Sequence, residues 1–244
     1  MRISQAWIVA RHDMQLIRRK RGILAGLIAF PLGVGIGFPA LVELLILRGG
    51  ADPSSWLPTF LDAFSFWFVI GAASLPTTIA SYSIVGEKVT KSLEPLLATP
   101  TTDGEILVGK GLAAFLPTVS VIWAGAALFQ ILIDLETYRS FGYFYYPNWG
   151  IALSLFVLMP LAALIAIEAS VLISSHVTDV RSAQQYAGVI FIPLIFIYVA
   201  SEIVLTLDAL TLLYIAGAFL VVVLLLFATS VRTFHREDIL TRWK

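Results

Sequence analysis

The sequence contains no cysteine, and only 13% of its 244 residues are charged. The lack of thiols excludes a disulfide framework, a thiolate metal site and a cysteine nucleophile. The formal net charge is zero, which argues against nucleic acid or another polyanion as a partner. Hydrophobic residues make up 59% of the chain, more than a soluble domain of this size can bury. The composition therefore predicts an integral membrane protein.

Six apolar runs are long enough to cross the membrane, because a helix needs roughly 20 residues to span about 30 Å of hydrocarbon. They cover residues 22–47, 60–85, 106–133, 151–174, 186–207 and 209–231. The last two runs are separated by so few residues that we expect a tight reversal at 207–209. The predicted fold is an all-α, single-domain bundle over 1–244, with an interfacial helix at 3–21, six spans within 22–231 and a tail at 232–244.

The distribution of basic residues predicts how the bundle lies in the membrane. If the N-terminus is cytoplasmic, only Arg48 and Arg139 of the 16 Lys and Arg residues fall on the outer side. Cytoplasmic loops retain Lys and Arg, so this asymmetry is a strong orientation signal. We expect a multi-pass protein of the cell membrane with both termini in the cytoplasm.

An amphipathic helix is predicted before the first span. Its apolar residues recur at spacings of three and four: Ile3, Trp7, Ala10, Met14 and Ile17. Such a stripe favours a helix that lies along the inner leaflet, its apolar face in lipid and its cations at anionic headgroups. The alternative is that the cations at 18–21 only orient the first span.

The loop between the second and third runs holds an unusual apolar cluster. Leu93, Leu96 and Leu97 lie in a segment that is otherwise polar. Ser92 can cap a short helix there, and Pro100 ends it, because the residue before proline is disfavoured in the α conformation. A helix this short is not stable alone, so we expect it to pack against another surface.

The start of the third run carries two further signals. Thr102 and Glu105 have the spacing of a capping box, which predicts that the third span begins there. Gly104 to Gly111 nearly matches a phosphate-binding loop, but Gly111 lacks the hydroxyl that binds Mg²⁺ and no strand is predicted before it. We therefore expect no ATP site on this chain, and we expect Lys110 to extend to the headgroups.

Several of these motifs together resemble the ABC-2 type permeases, the membrane subunits of ABC exporters. The resemblance rests on Glu87-Lys88, on Leu93-Glu-Pro-Leu-Leu-Ala-Thr-Pro100 and on the Glu105–Lys110 segment, with weaker matches at Arg181–Gln185 and Phe234–Leu240. It implies that the loop helix is a coupling helix that docks on a separate ATPase. The residues implied in that contact are Glu87, Leu93, Glu94, Pro95, Leu96 and Leu97. The alternative is a helix that lies on the permease's own inner surface.

The resemblance also implies the remaining partners and cofactors. No cofactor is expected on this chain, since ATP and Mg²⁺ would belong to the cytoplasmic ATPase. Permeases of this type work as two six-span halves, so the chain is expected to pair with itself or with a related permease. Gly33 and Gly37 form a G-x-x-x-G pattern suited to that interface, although it could equally serve packing within one bundle.

Glu168 is the ionisable residue placed deepest in a predicted span. A charge near the middle of the membrane is costly, so we expect it on the translocation path or in contact with Ser170 or Ser174. A second hypothesis follows, an ion or solute carrier that needs no ATPase and titrates Glu168. A third is a membrane scaffold without transport. The three histidines, His12, His176 and His235, have no metal-site spacing.

Two other features concern the shape of the bundle. Each of the first five runs contains a proline, Pro160 in the fourth, which predicts kinks whose freed carbonyls are satisfied by neighbouring helices. The outer loop over 134–149 is rich in aromatic residues, which predicts an interfacial belt.

Overall fold

The computed structural model describes residues 3–48, 53–86, 101–177, 179–205 and 209–233. Within these ranges, every regular element is helical. The elements are α1 (Ile3–Arg18), α2 (Arg21–Arg48), α3 (Pro53–Ala63), α4 (Ser65–Ser81), α5 (Asp103–Phe141), α6 (Trp149–Leu153), α7 (Met159–His176), α8 (Val180–Leu205) and α9 (Ala209–Thr233). Two π-turns, Tyr82–Gly86 and Ser154–Leu158, follow α4 and α6.

Five helical stretches in the described ranges are long and apolar enough to cross a membrane. They are Arg21–Ile46, Trp56–Ser81, Asp103–Phe141, Trp149–Ser174 and Leu210–Thr233. These helices confirm the predicted all-helical, multi-span architecture. Helix α8 covers most of the remaining predicted run, while the reversal expected at 207–209 lies largely outside the described residues.

The third spanning helix is longer than the apolar pattern predicts. Helix α5 continues to Phe141 and ends at Gly142, which adopts the left-handed conformation with φ of 77°. Glycine takes this conformation without a Cβ clash, which explains why the helix ends there. The prediction that the aromatic loop spans 134–149 is therefore wrong, because only 142–148 connects α5 to α6.

Helix α7 lies at the centre of the described bundle, packed against α4, α5, α8 and α9. Its buried surface contains four alanines, Ala162, Ala163, Ala166 and Ala169, beside larger side chains such as Ile165 and Ile167. Small side chains let the helix axes approach closely, and such packing drives helix association in lipid, where the hydrophobic effect does not act between helices.

At the end of the bundle opposite α1, aromatic rings pack the helices together. Phe129 of α5 is fully buried and forms edge-on contacts with Phe64 and Phe68 at centroid distances of 5.9 and 5.6 Å. Tyr146 of the 142–148 loop packs against the same ring at 5.8 Å. Phe129 therefore fixes α5 to the second span and to the loop that follows α5.

The π-turn Ser154–Leu158 lies directly before Pro160, which cannot donate a backbone hydrogen bond. A helix adapts to such a proline by a local change in its hydrogen-bond register. The indole Nε1 of Trp123 on α5 donates to the carbonyl of Leu155 at 2.9 Å. A side chain from a neighbouring helix thus satisfies a carbonyl of the proline-associated turn, as predicted.

Two glycines bring α2 and α5 into backbone contact. A Cβ on Gly35 would lie 2.7 Å from the carbonyl oxygen of Gly125. A Cβ on Gly125 would lie 2.7 Å from the Cβ of Pro31 and 2.8 Å from its carbonyl oxygen. Real atoms do not approach this closely, so glycine is required at both positions. The first span is thereby held against the third.

We expect Gly125→Ala to destabilise the protein by about 1–3 kcal/mol, the usual cost of overpacking a tight contact. The measurement is thermal unfolding of the purified protein in detergent, followed by tryptophan fluorescence. Gly217→Ala is the matched control, because Gly217 lies on a membrane helix with open space around its Cα. Equal melting temperatures for the two variants would contradict the contact.

Candidate functional site

The residues predicted to form the coupling helix lie in a segment, 87–100, that is outside the described residues. This applies to Glu87, Leu93, Glu94, Pro95, Leu96 and Leu97. The structure does describe both ends of the segment. The chain enters it from the π-turn Tyr82–Gly86 and leaves it at Thr101.

The exit from this segment is fixed by the predicted capping box, which the structure confirms. The hydroxyl of Thr102 accepts from the amide of Glu105 at 3.3 Å, and the Glu105 carboxylate accepts from the amide of Thr102 at 2.9 Å. Glu105 is only 3% exposed. The first turn of α5 is therefore rigidly defined directly after the loop.

The entrance is fixed by a buried polar cluster that joins α1, the π-turn and α5. We call Asp13, Ser83 and Lys110 the junction cluster. The ammonium of Lys110 donates to the Ser83 carbonyl at 2.8 Å and to the Ser83 hydroxyl at 3.1 Å. It also lies 3.3 Å from the carboxylate of Asp13, which accepts from the Ser83 hydroxyl at 2.6 Å.

Charge balance explains why this cluster can be buried. Lys110 is 1% exposed and Asp13 is 4% exposed, so each ion has lost nearly all contact with solvent. Burying a single charge costs several kcal/mol, and an opposite charge with additional hydrogen bonds offsets that cost. The expectation that Lys110 extends to the headgroups is wrong, because its ammonium instead contacts the buried carboxylate of Asp13 and the carbonyl of Ser83.

Close packing of α1 on α5 brings Asp13 to Lys110. A Cβ on Gly109 would lie 2.7 Å from the Ala6 carbonyl oxygen and 2.7 Å from the Cβ of Val9. Only glycine allows this approach. The junction cluster therefore lies one residue from the closest contact between the two helices.

The face of α1 that is buried differs from the predicted stripe. The buried residues are Ala6, Val9, Ala10, Asp13 and Ile17, whereas Ile3 and Trp7 are 81% and 48% exposed. The prediction of an apolar stripe that faces lipid as a unit is therefore wrong. Two of its members, Ala10 and Ile17, pack on the protein's own helices, because small side chains on that face fit the glycine of α5.

The segment between α1 and α2 contacts the same π-turn. The ammonium of Lys20 lies 3.0 Å above the centre of the Tyr82 ring, a cation–π contact. Tyr82 directly precedes Ser83 of the junction cluster. Tyr82 and Ser83, neighbours in one turn, thus hold α1 and the start of α2 at the end of the second span.

The opposite end of the bundle carries a second polar network. Asp62 accepts from the hydroxyl of Tyr145 at 2.8 Å and from the side-chain amide of Asn148 at 3.2 Å. Asp134 accepts from the backbone amides of Tyr145 and Tyr146 at 3.0 and 2.8 Å. Burial raises the pKa of both tyrosines well above the ordinary value of about 10. Their hydroxyls therefore stay protonated and remain donors.

This network partly corrects the predicted aromatic belt. Tyr146 is 4% exposed, and the Tyr145 hydroxyl is hydrogen-bonded to Asp62 of the second span, so neither ring is free to lie in a membrane interface. Phe144 and Trp149 are 63% and 81% exposed, as expected of interface anchors. The loop thus divides into a buried part and an exposed part.

Glu168 lies on α7 and is partly exposed, and Ser230 of α9 lies near its carboxyl group, although the Ser230 hydroxyl forms no hydrogen bond in the described part of the chain. Ser170, one of the two partners predicted for Glu168, is fully buried and likewise forms no hydrogen bond through its hydroxyl there. Sequence spacing could not show the proximity of Ser230, because α7 and α9 are far apart in the chain.

Gly33 and Gly37 lie on the outward face of α2. Both are exposed, and a Cβ on either would meet nothing within 4 Å. Gly35, on the opposite face, makes the close contact within the bundle. The G-x-x-x-G pair is therefore free of contacts within the described chain.

The described residues hold no group of three or more His, Asp or Glu side chains that could bind a metal ion. The near-match to a phosphate-binding loop lies on α5, whose regular helix begins at Asp103. Its lysine, Lys110, is buried in the junction cluster. This arrangement differs from a strand followed by a glycine-rich loop, which is the structure that cradles phosphates.

We expect Lys110→Met to loosen the docking of α1, because Asp13 would then lose its buried counter-charge and keep only the exposed His12 imidazole, 3.4 Å away. Breaking such a pair costs about 3–5 kcal/mol. The chain has no cysteine, so a single Val9→Cys substitution on the buried face of α1 reports undocking through its reaction with a maleimide. Labelling should accelerate at least about tenfold in the Lys110→Met background.

Arg11→Met is the control for this experiment, since Arg11 is an exposed cation of the same helix and should leave labelling unchanged. Adding Asp13→Asn to Lys110→Met should slow labelling again, because the unpaired charge is then removed. Labelling at the parental rate in Lys110→Met would refute a structural role for the ion pair.

Comparison with known proteins agrees with this membrane architecture. No curated protein is significantly similar to the chain. A family model described as ABC-2 family transporter protein matches residues 7–215, which include the junction cluster and most of the spanning helices. The chain therefore belongs to the ABC-2 family of transporter membrane proteins, permease domains that have no ATP-binding site of their own.

Proposed function

We propose that this chain is the permease subunit of an ATP-driven exporter. It would form the translocation path as a dimer, with itself or with a related permease, and would be driven by a separate cytoplasmic ATPase. Membership of the ABC-2 family implies an ABC ATPase as partner. ATP and Mg²⁺ would then bind to that partner.

In this proposal the chain has six spans and two cytoplasmic termini. Helix α8 has 26 residues, which corresponds to about 39 Å of helix and is enough to cross a bilayer. The basic residues at 18–21 support a cytoplasmic position for the α1 end of the bundle. The loop 142–148 would then lie on the outer side.

The observation that carries the proposal is the rigid attachment of both ends of segment 87–100. Its entrance follows the π-turn that contains Ser83 of the junction cluster, and its exit is the capping box at Thr102. Lys110, on the second turn after that box, closes the cluster. A force that reaches either end of the segment is therefore passed to the second and third spans.

The proposed contact with the ATPase consists of the leucine cluster at 93–97 together with Glu87, Glu94 and Pro95. Apolar anchors flanked by charges are typical of the centre of a protein interface. Closure of the ATPase pair would push on this segment. The second and third spans would then tilt and change access to the cavity between two chains.

Glu168 is proposed to contribute to the translocation path. Its partial exposure and the nearby Ser230 support a polar position between α7 and α9. A charge at this depth is costly in lipid, so polar neighbours and water are the environment we expect for it.

The first test concerns the ATPase contact. We expect Leu96→Asp with Leu97→Asp to reduce retention of the ATPase in the purified complex at least about tenfold, the loss typical of a truncated interface anchor. Transport and ATP hydrolysis by the complex should fall with it. Val89→Asp is the control for added charge, because it lies in the same loop outside the leucine cluster. Normal retention and transport in the double variant would rule out this coupling site.

The second test concerns the dimer. A disulfide forms only when two Cα atoms lie about 4.4–6.8 Å apart. In the cysteine-free chain, we expect Gly37→Cys to form cross-linked dimers in membranes on mild oxidation. Gly217→Cys, equally exposed on α9, is the matched control and should stay monomeric. Equal cross-linking at the two positions would argue against the α2 interface.

A further inference from the structure

A groove opens between the first and second spans near the α1 end. Its volume is about 120 Å³, and it is lined mainly by apolar atoms. The lining residues used below are Gly22, Ile23, Gly26, Leu75, Thr78 and Ile79. The groove lies apart from the junction cluster and from Glu168, and the proposed transport mechanism does not use it.

The groove exists because two glycines leave space on α2. Neither Gly22 nor Gly26 has any atom within 4 Å of the position where a Cβ would be. Farther along the same helices the gap is closed, because a Cβ on Gly71 would lie 2.5 Å from the ring of Phe30. At the α1 end, Lys20 covers Tyr82. The groove is thus a partly open slot that ends at Phe30.

The chain segment that borders the mouth of the slot is strongly cationic. Four successive residues, Arg18 to Arg21, connect α1 to α2 directly beside Gly22. Arg18, Arg19 and Arg21 are exposed and form no ion pair within the ranges that the structure describes. Lys20 is held against Tyr82 and faces the same end of the second span.

We propose that this slot binds one anionic phospholipid from the leaflet at the α1 end. One acyl chain lies between Gly22–Gly26 and Thr78–Ile79, and the phosphate lies among Arg18, Arg19 and Arg21. The charge of the mouth selects an anionic headgroup, since each nearby Lys or Arg contributes roughly 1 kcal/mol to attraction for acidic lipid. The apolar walls favour a hydrocarbon chain over water.

The absence of cysteine allows a direct test in the full-length protein. The variant Ala25→Cys carries a small fluorophore beside the slot, because Ala25 is exposed and is not among the lining residues, and the protein is reconstituted with lipids brominated on their acyl chains, which quench on contact. We expect brominated phosphatidylglycerol to quench with an apparent affinity at least about fivefold higher than brominated phosphatidylcholine. Gly217→Cys, exposed on α9, is the control and should show no such preference.

Two further arms complete the test. Arg18→Gln with Arg19→Gln should reduce the preference at Ala25 to that of the control, because the anionic headgroup loses its counter-charges. Oxidation of Gly26→Cys without label reports whether a second copy of the chain occupies the slot instead. Equal quenching by the two lipids at Ala25, an unchanged preference in the Arg variant, or efficient cross-linking through Gly26→Cys would each overturn the proposal.

Discussion

The ion pair between Lys110 and Asp13 determines how the α1 end of this protein is built. Its two charges are buried inside the protein, where water cannot solvate them, so each requires the other and the Ser83 hydroxyl. Satisfying that requirement holds an N-terminal helix, the last turn of the second span and the first turns of the third span in one arrangement. Apolar packing alone would let these helices slide.

Much of the fold follows from the sequence because lipid imposes simple rules. The lengths of the apolar runs predict where the spans lie, and the spacing of Thr102 and Glu105 correctly predicts where α5 begins. The end of α5 was missed because the polar residues at 134–141 resemble a loop, whereas they form a helical extension that terminates at Gly142. In that position, tertiary contacts such as Asp134 with the amides of Tyr145 and Tyr146 outweigh local composition.

The site was harder to predict because its residues are paired across the chain. Asp13 and Lys110 are separated by 97 positions, and each looks alone like an ordinary boundary charge. A weak signal was present in the sequence. Asp13 interrupts a face of small residues, Ala6, Val9 and Ala10, and Lys110 follows Gly109, so both charges occupy surfaces suited to close helix contact. Periodicity of hydrophobic residues alone pointed to the wrong face of α1.

The two polar networks also divide the bundle into mechanical units. The junction cluster joins the second span to α5 at one end, and Asp62 with Tyr145, Asp134 and Phe129 join them at the other. Gly35 and Gly125 add α2 to the same body through backbone contact. Helix α7, by contrast, meets this body through apolar side chains, its alanines together with Ile167 and Val171, which form no directional bonds. We therefore expect force on segment 87–100 to move α1, α2, the second span and α5 together, with the displacement taken up at the apolar surface of α7.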